Sequence, residues 1–472
     1  MAASSVPTVV FLALVLDLFA FTIPLPLFPR LIEWYTGKES ADANGLLSRT
    51  LSAVGYLRSR VLDEPAEQVR KRWDVVLLGG LMGSLFSALQ FYISPKIGSL
   101  SDKYGRKNVL LFTMIGNVLS ALIWIQSTSF ASYLLSRAVG GISEGNVQLS
   151  IAILSDVSTP ATRARALSLV GIAFSICFCI GPPIGAYLST HPFTPSLALT
   201  RGYELNVYAT PAILTLALLL VETLFLAVML PETRGKGAQP TTEGQKSLAP
   251  NATASRGTAA SRLATLKRLR RMHFLFLAVF SGVEFTLTFL SFDLFDWSNA
   301  QNGRLLGFIG VISALLQGGY VRRSISKVGE GVMAKRGVGS CALALAFLAS
   351  LPHLATARRA AATKTLYAAA ACLAFTSATV VNSLTALASL QCDEPTHDAS
   401  GNIIAETPGL VKGRALGEFR SSGQLGRALG PLLACGLYWT LGPTTTYTLG
   451  TVAMTAIAFH MRSLSRSSKK IN

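Results

Sequence analysis

Long apolar runs limit the folds that are open to this chain. Each run has at least 18 residues, enough for a helix rising 1.5 Å per residue to cross a hydrocarbon core of about 30 Å. Backbone polar groups inside lipid must bond within their own segment, so the runs predict helices. Twelve such runs lie near residues 8–29, 75–97, 109–126, 130–155, 165–188, 208–230, 273–295, 304–321, 337–354, 365–390, 414–439 and 442–461. The sequence therefore predicts an all-α membrane protein with twelve transmembrane helices.

Composition and charge agree with a membrane protein. Charged residues make up 14% of the chain and hydrophobic residues 50%, whereas a soluble chain carries about 25% charge. The net charge of +18 falls mainly in short loops between apolar runs, which favours a membrane surface over nucleic acid. The sequence has no metal-ligand spacing, nucleophile elbow or phosphate loop. We therefore expect no enzymatic activity, no cofactor and no bound metal.

The distribution of basic residues predicts the topology. With both termini in the cytoplasm, 26 of the 42 Lys and Arg residues lie on the cytoplasmic side, as the positive-inside rule requires. The first apolar run lacks a basic segment before it and a cleavage site after it, so we interpret it as an uncleaved first helix. We expect an integral, multi-pass protein of the plasma membrane or an endomembrane.

An internal repeat predicts two halves. Arg165-Ala166-Leu167 precedes Gly181-Pro182, and Arg414-Ala415-Leu416 precedes Gly430-Pro431, with sixteen residues from Arg to Gly in both. We predict a six-helix bundle at 1–230 and a second at 272–472 with a short cytoplasmic tail, related by pseudo-symmetry. The segment 231–271, rich in small and basic residues, predicts a disordered cytoplasmic linker.

A tight loop joins the second and third apolar runs. Gly98 to Lys107 reads G-S-L-S-D-K-Y-G-R-K, and its two glycines, Gly98 and Gly105, permit close turns. Asp102 is placed either to pair with Arg106 or to sit at the positive N-terminus of another helix. We expect the loop at the cytoplasmic membrane surface.

Ionisable residues inside apolar runs are the candidate functional residues, because each costs several kcal/mol in lipid. They are the acids Asp17, Glu144, Glu222 and Glu284 and the arginines Arg137, Arg420 and Arg427. Polar stripes at helical spacing accompany them: Arg137, Gly141, Glu144 and Gln148; Ser281, Glu284, Thr288 and Ser291; Arg420, Gln424 and Arg427; Thr379 and Asn382. Such stripes predict a polar cavity near the membrane midplane. Structural ion pairs that only lock helices together are the alternative reading.

Four acids and three arginines leave one carboxylate without a cation, which suits a proton carrier. The candidates for proton coupling are Asp17, Glu144 and Glu284, with Arg137 tuning the acid. We expect the substrate to meet Arg420, Arg427, Gln424, Asn382, Gln148 and Thr288.

Several motifs resemble those of a known family. The 98–107 string resembles the loop between helices 2 and 3 of the major facilitator superfamily. Asp17 followed by Pro24, Pro26 and Pro29, the string 136–142, and the string 165–185 look like the twelve-helix tetracycline and multidrug proton antiporters. The second half looks most like the eukaryotic tetracycline-transporter-like proteins, which are associated with organic anion efflux. The string 181–186 is similar to the antiporter motif, with Ala186 in place of its last Gly.

The resemblance implies roles for these residues. Arg137 would take part in proton movement, and gating would fall to Gly98, Asp102, Gly105, Arg106, Lys107, Gly181, Pro182 and Gly185. The sequence thus predicts a monomeric secondary transporter that exports an organic, amphipathic anion in antiport with protons. A uniporter and a non-transporting membrane sensor or scaffold stay open as alternatives.

Overall fold

A computed structural model of the chain describes residues 6–24, 27–39, 45–59, 67–190, 209–234, 258–297, 299–393 and 407–462. These ranges are helical and contain no strand. The helices are α1 (Val6–Thr22), α2 (Phe28–Lys38), α3 (Leu46–Ser59), α4 (Glu67–Tyr104), α5 (Arg106–Ile125), α6 (Phe130–Ser143), α7 (Asn146–Val157), α8 (Pro160–Thr190), α9 (Ala209–Met229), α10 (Ala259–Phe295), α11 (Asn299–Leu315), α12 (Arg322–Val328), α13 (Glu330–Ala357), α14 (Arg359–Gln391) and α15 (Lys412–His460). A π-helical turn, Leu316–Val321, joins α11 to α12.

Two of the membrane segments are composite, and one helix contains two segments. The pair α6–α7 is one interrupted segment, and α11, the π turn and α12 form another. Helix α15 contains two segments joined at Gly442, where φ is 79°. Seven helical stretches in the described ranges are long and apolar enough to cross a membrane, and one of them, Gln301–Ile325, is the second composite. With the composites and the shorter or more polar helices, the described residues form the twelve predicted segments, and the all-α prediction is confirmed.

The described core is divided between two halves. The largest buried cluster comes from α10 to α15, with Ala152 of α7 as its one member from the first half. A second cluster joins α1, α4, α5, α7, α8 and α9, with four residues from the second half. We call the end of the bundle that carries residues 98–107 the proximal side, and the other end the distal side.

The fourth membrane segment is not the continuous helix that we predicted. Helix α6 ends at Ser143 and α7 begins at Asn146, while Glu144 between them is extended, with φ −70° and ψ 95°. The prediction that Arg137, Gly141, Glu144 and Gln148 share one helix face is therefore wrong. Glycine is a poor helix former, and Gly140, Gly141 and Gly145 surround the break.

The linker that we predicted extends too far at its C-terminal end. Helix α10 begins at Ala259, and the Thr258 hydroxyl caps it by accepting from the Ser261 amide at 3.3 Å. Leu266 and Leu269 are buried in the second-half core, and this apolar burial extends the helix thirteen residues, 259–271, into the predicted linker. Residues 235–257 of that linker lie outside the described ranges.

The outside loop 30–74 contains structure that the sequence did not indicate. Helices α2 and α3 pack over the distal end of the first half, where Tyr35 is buried with Trp124, Phe130 and Tyr133. The Tyr35 hydroxyl lies 3.0 Å from the Ser127 carbonyl oxygen. The first apolar run, 8–29, is not one continuous helix, because α1 ends at Thr22, before Pro24. Pro26 lies outside the described ranges.

Candidate functional site

Two carboxylates of the first half share one amide. Asn146, the first residue of α7, has its Nδ2 atom 2.6 Å from Asp17 Oδ1 on α1 and 3.3 Å from Glu222 Oε1 on α9. All three side chains are at most 4% exposed. The helix break between α6 and α7 is what points Asn146 at these two acids. The structure therefore brings Asp17 and Glu222 together, although they are 205 positions apart in sequence.

Glu144 links this cluster to the second half. It lies in the break between α6 and α7 and is half-buried. Its strongest favourable electrostatic interaction is with Arg420 on α15, and Arg420 also acts on Asp17. The predicted acids Asp17 and Glu144 and the predicted base Arg420 thus face one another across the boundary between the halves.

Glu284 and Arg427 lie near each other inside the second half, without a direct ion pair. Glu284 is exposed in the middle of α10, and Arg427 is exposed in the middle of the first part of α15. Among the described residues, Arg427 is the charged group that acts on Glu284. Phe285 contacts the first half, since a Cβ on Gly80 of α4 would lie 3.0 Å from its ring. Glu284 therefore lies next to a residue that contacts the first half.

The arginine face of α15 lies between two packed faces. Gly417 and Ser421 pack against α4, and Ser421 Oγ donates to the Phe91 carbonyl oxygen at 2.6 Å. Gly423, Gly426 and Gly430 pack against α10. The stripe of Arg420, Gln424 and Arg427 occupies the surface between these two contacts. Of this stripe, Arg420 acts on Glu144 and Asp17 of the first half.

The charges of this region are near one another without direct contact. In the part of the chain that the structure describes, neither Arg420 nor Arg427 belongs to an ion pair within 4.0 Å. The Nε atom of Arg420 is buried and has no hydrogen-bond partner there. This arrangement leaves guanidinium donors that a bound anion can use.

Arg137 lies apart from the acids. Its guanidinium carbon is 5.6 Å from the ring centroids of both Trp124 and Tyr133, a cation–π arrangement in the distal part of the first half. Electrostatic contributions to the environments of Asp17 and Glu144 come from other groups. The structure thus places Arg137 in an aromatic pocket, and its role in proton movement stays a prediction.

The predicted polar substrate ligands are distributed over different surroundings. Gln148 is buried and donates to the Ser94 carbonyl oxygen at 2.7 Å, which holds α7 against α4. Asn382 packs against Gly171 beside Gln317, at the boundary between α8 and α14. Thr288 lies one turn beyond Glu284, and Gln424 lies between the two arginines of α15; both are half-buried.

The proximal loop joins the two halves. Asp102 Oδ1 accepts from the Gly413 amide at 2.9 Å, and Oδ2 accepts from the Arg414 amide at 2.7 Å. Arg106 also donates to Asp102, at 2.8 Å. Both arrangements that the sequence allowed for Asp102 therefore occur together. Gly98 packs directly on Gly413, and a Cβ at Gly98 would overlap the Gly413 carbonyl.

A set of ion pairs extends this proximal contact. Arg106 pairs with Asp156 of α7 at 2.9 Å, and Lys412 of α15 lies 3.5 Å from the same carboxylate. Lys412 also reaches Asp393 at 3.2 Å, and Arg163 of α8 pairs with Asp393 at 2.5 Å. Each half thus supplies both an acid and a base to the other half.

The end of the first half caps the proximal loop. Gly105 has φ 95°, a conformation that glycine adopts without strain. The Glu232 carboxylate accepts from the amides of Arg106 at 2.8 Å and Lys107 at 3.1 Å. The Lys107 amine donates to the Ala227 carbonyl oxygen at 2.7 Å. This acid therefore satisfies the first free amides of α5.

The remaining predicted gating residues hold α8 against α1. A Cβ at Gly181 would overlap the Thr22 hydroxyl, and one at Gly185 would overlap the Ile23 carbonyl oxygen. Pro182 lies between these two contacts in an unbroken helix. The small residues bring the two backbones into contact at the distal end of the first half.

Sequence reasoning missed several residues of this region. Asn146 and Gln317 are polar amides inside apolar runs, and they are 1% and 2% exposed. The one sequence signal for them was a polar side chain within a lipid-spanning segment. Glu232, Asp156 and Asp393 lie at segment ends, where a carboxylate is ordinarily solvated, so the sequence carried no signal for their roles.

Comparison with known proteins identifies the architecture. The profile of the Major Facilitator Superfamily matches residues 10–405. The chain belongs to the major facilitator superfamily. It is therefore a multi-pass membrane transporter, and the predictions of this family and of a non-enzymatic protein are confirmed.

Relatives within the superfamily show which of its members this chain resembles. The mouse protein named Major facilitator superfamily domain-containing protein 10 is 36% identical over 459 residues, covering 93% of this chain and 89% of the relative. The human protein of the same name is also 36% identical, over 94% of this chain and 89% of its own length. The class H tetracycline resistance protein of Pasteurella multocida is 33% identical over 109 residues, which is 23% of this chain and 27% of the relative. The predicted resemblance to tetracycline-transporter-like proteins is confirmed.

Solved structures agree with this assignment. The crystal structure of the human organic anion transporter MFSD10 (TETRAN) matches with a TM-score of 0.76 and 31% identity, covering 98% of this chain and all of the other. The proton:xylose symporter XylE matches with a TM-score of 0.64 at 16% identity, over 98% of this chain and 96% of its own. The second match shows the shared fold alone.

Proposed function

We propose that this chain exchanges an organic anion for protons by alternating access. The observation that supports an anionic substrate is the pair of arginines on α15, Arg420 and Arg427. They face the interior without a direct ion pair in the described part of the chain. A carboxylate or sulfonate would receive charge-assisted hydrogen bonds from these guanidinium groups. The structural relative that is described as an organic anion transporter supports the same substrate class.

Glu144 competes with the substrate for Arg420 in this proposal. It is the acid that acts most strongly on Arg420, so a substrate anion and the ionised Glu144 are alternative counter-charges of this guanidinium. Glu284 stands in the same relation to Arg427. The charge state of the two acids thereby affects how tightly the anion binds.

The conformation supports transport by rocking of the two halves. Hydrogen bonds between described residues of opposite halves lie from the proximal ends to the middle of the helices, among them Asp102 with Gly413 and Ser155 with Ser389. The conformation is thus closed on the proximal side. We propose that the proximal side is cytoplasmic, from the excess of Lys and Arg there, and that a second state opens it.

Proteoliposomes test the substrate class and the coupling together. We expect purified protein to accumulate at least one member of a panel of fluorescent carboxylates and sulfonates when the vesicle interior is acidic, and not a fluorescent cation. Arg420→Gln should lower this uptake about tenfold or more, because a charge-assisted hydrogen bond contributes about 1.5–3 kcal/mol. Arg323→Gln removes a positive charge from an exposed position and should leave uptake unchanged.

Each alternative predicts a different outcome of this assay. Uptake that ignores the pH gradient would replace antiport by uniport. Anion uptake that Arg420→Gln leaves intact would remove the arginine face from the substrate site. No flux of any probe by a folded, monodisperse protein would contradict the proposed organic anion substrate.

A further inference from the structure

The buried amide between Asp17 and Glu222 leaves two acceptor atoms without a donor. Asn146 Oδ1 and Glu222 Oε2 are both buried, and neither has a hydrogen-bond partner among the described residues. Asn146 and Glu222 are each 1% exposed. Buried polar atoms are almost always paired. Two orphan acceptors on adjoining side chains therefore indicate a missing donor.

The hydrogens of the amide cannot fill this need. A side-chain amide has two N–H donors and one carbonyl acceptor. Asn146 Nδ2 already lies 2.6 Å from Asp17 Oδ1 and 3.3 Å from Glu222 Oε1, with Met114 Sδ at 3.0 Å as a third, weaker contact. Both hydrogens are committed to acceptors. A proton on Glu222 would supply the donor for the orphan pair.

We propose that Glu222 is a protonated carboxylic acid in this conformation, with its Oε2–H donating to Asn146 Oδ1. An acid and a primary amide then form two antiparallel hydrogen bonds, of which the contact from Asn146 Nδ2 to Glu222 Oε1 is one. Asp17 is the ionised member, held by the other hydrogen of Asn146 at the short distance typical of a charge-assisted bond. The proton site is thus an acid–amide pair in the first half, separate from the arginine face of α15.

The groups around this pair are consistent with one proton and one negative charge. Glu144 adds a second negative charge nearby, and Arg420 acts on Asp17 from the second half. The Cys177 thiol of α8, which donates to the Val15 carbonyl oxygen at 3.4 Å, is also within electrostatic reach of Asp17. Two carboxylates that share one buried donor do not both ionise readily. A proton on Glu222 removes that repulsion.

Protonation of Glu222 is coupled to the helix break. Asn146 is the first residue of α7 and follows Glu144 by two positions. When Glu222 loses its proton, two carboxylates compete for one amide. The hydrogen bonding between Asn146 and Glu222 of α9 then weakens. The neighbouring Glu144 can then change its position relative to Arg420. The inference deepens the proposed antiport by naming the proton site, but the protonation state itself does not depend on transport.

Infrared difference spectroscopy on the purified protein, without substrate or pH gradient, tests the assignment. At neutral pH we expect a carbonyl stretch from a buried protonated carboxylic acid, shifted in heavy water. Glu222→Gln should abolish it, because the amide that replaces the acid pairs with Asn146 without a proton. Asp17→Asn should retain the band, and Asn146→Ala should shift it. Glu418→Gln, an acid that is ion-paired with Arg270, is the control and should leave the spectrum unchanged.

Three results would overturn this assignment. One is a band that survives in Glu222→Gln, and another is a band that Asp17→Asn abolishes, since the proton would then lie on Asp17 with the Asn146 amide reversed. The third is a stabilisation of the protein by Na⁺ but not K⁺ that Glu222→Gln removes, because the site would then hold a metal cation. If Glu222→Gln does not fold, the absence of a shift in Asn146→Ala would still overturn it. Because no substrate is present, failure here leaves the transport proposal standing, and failure of the uptake assay leaves this one standing.

Discussion

Two glycines hold helices α1 and α8 of the first half together, because a glycine has no side chain to keep them apart. Gly185 lets α8 contact the backbone at Ile23, just after the end of α1, and Gly181 makes room for the Thr22 hydroxyl. The sequence could predict close packing from the string 181–186, because small residues permit helices to approach. It could not predict the partner, because the contact depends on where α1 ends.

Replacing Gly185 with alanine should destabilise the protein. Its Cβ would overlap the Ile23 carbonyl oxygen, which is backbone and cannot rotate away. We expect a cost of about 1–3 kcal/mol, as for other overpacked sites, seen as a lower apparent melting temperature in detergent. The control is Gly339→Ala in α13, where a Cβ meets nothing within 4 Å. Equal melting temperatures for the two variants would contradict the close contact.

The charged residues show which parts of the site the sequence could predict. The energetic cost of ionised groups in lipid identified Asp17, Glu144, Glu284 and Arg420 as functional candidates, and the structure buries Asp17 and places Glu144 and Arg420 within electrostatic reach of it. The same argument could not pair them, because electrostatic partners are set by the tertiary arrangement. Asn146 was overlooked because a neutral amide carries no comparable cost.

At the level of secondary structure, interruptions in the helices position the buried amide side chains. The break at Glu144 and Gly145 aims Asn146 at two acids, and the π turn at Leu316–Val321 brings Gln317 against α8. Hydrophobic periodicity predicts that a segment is helical but not where its hydrogen bonds are interrupted. The glycines near both breaks, such as Gly145 and Gly318, were the available signal.

Glu232 makes a prediction at this level, because it caps α5. Its carboxylate accepts from the amides of Arg106 and Lys107 and from those of Thr233 at 3.0 Å and Arg234 at 2.9 Å. Glu232→Ala should lower stability by about 1–2 kcal/mol, the cost of a lost helix cap, and Glu232→Gln should lower it less because one acceptor oxygen stays. Melting curves in detergent give the order. An alanine variant as stable as wild type would contradict the cap.

For the assembly of the two halves, the internal repeat at 165–181 and 414–430 predicted two bundles. It did not predict how they meet. The proximal contacts are made by Asp102, Asp156 and Lys412, whose partners lie in the opposite half. Such pairings depend on the relative position of the bundles in one conformational state, which no local pattern encodes.

Alternating access requires that these proximal contacts separate during transport. Ser155 of α7 and Ser389 of α14 lie 2.8 Å apart, Oγ to Oγ, across the boundary between the halves. Cysteines at both positions would be close enough for a disulfide. Ser120 and Ser136, with hydroxyls 3.4 Å apart, offer a matched pair within the first half. Both pairs would be placed in a protein in which Cys392, one turn from Ser389, is replaced by serine.

Anion uptake before and after oxidation of the two double-cysteine proteins is the decisive measurement. Oxidation of Ser155→Cys/Ser389→Cys should abolish uptake, and reduction should restore it, because the disulfide fixes the proximal side closed. The oxidised Ser120→Cys/Ser136→Cys protein should transport as before. Full uptake by the oxidised 155/389 protein, with the cross-link verified, would contradict transport by separation of the two halves.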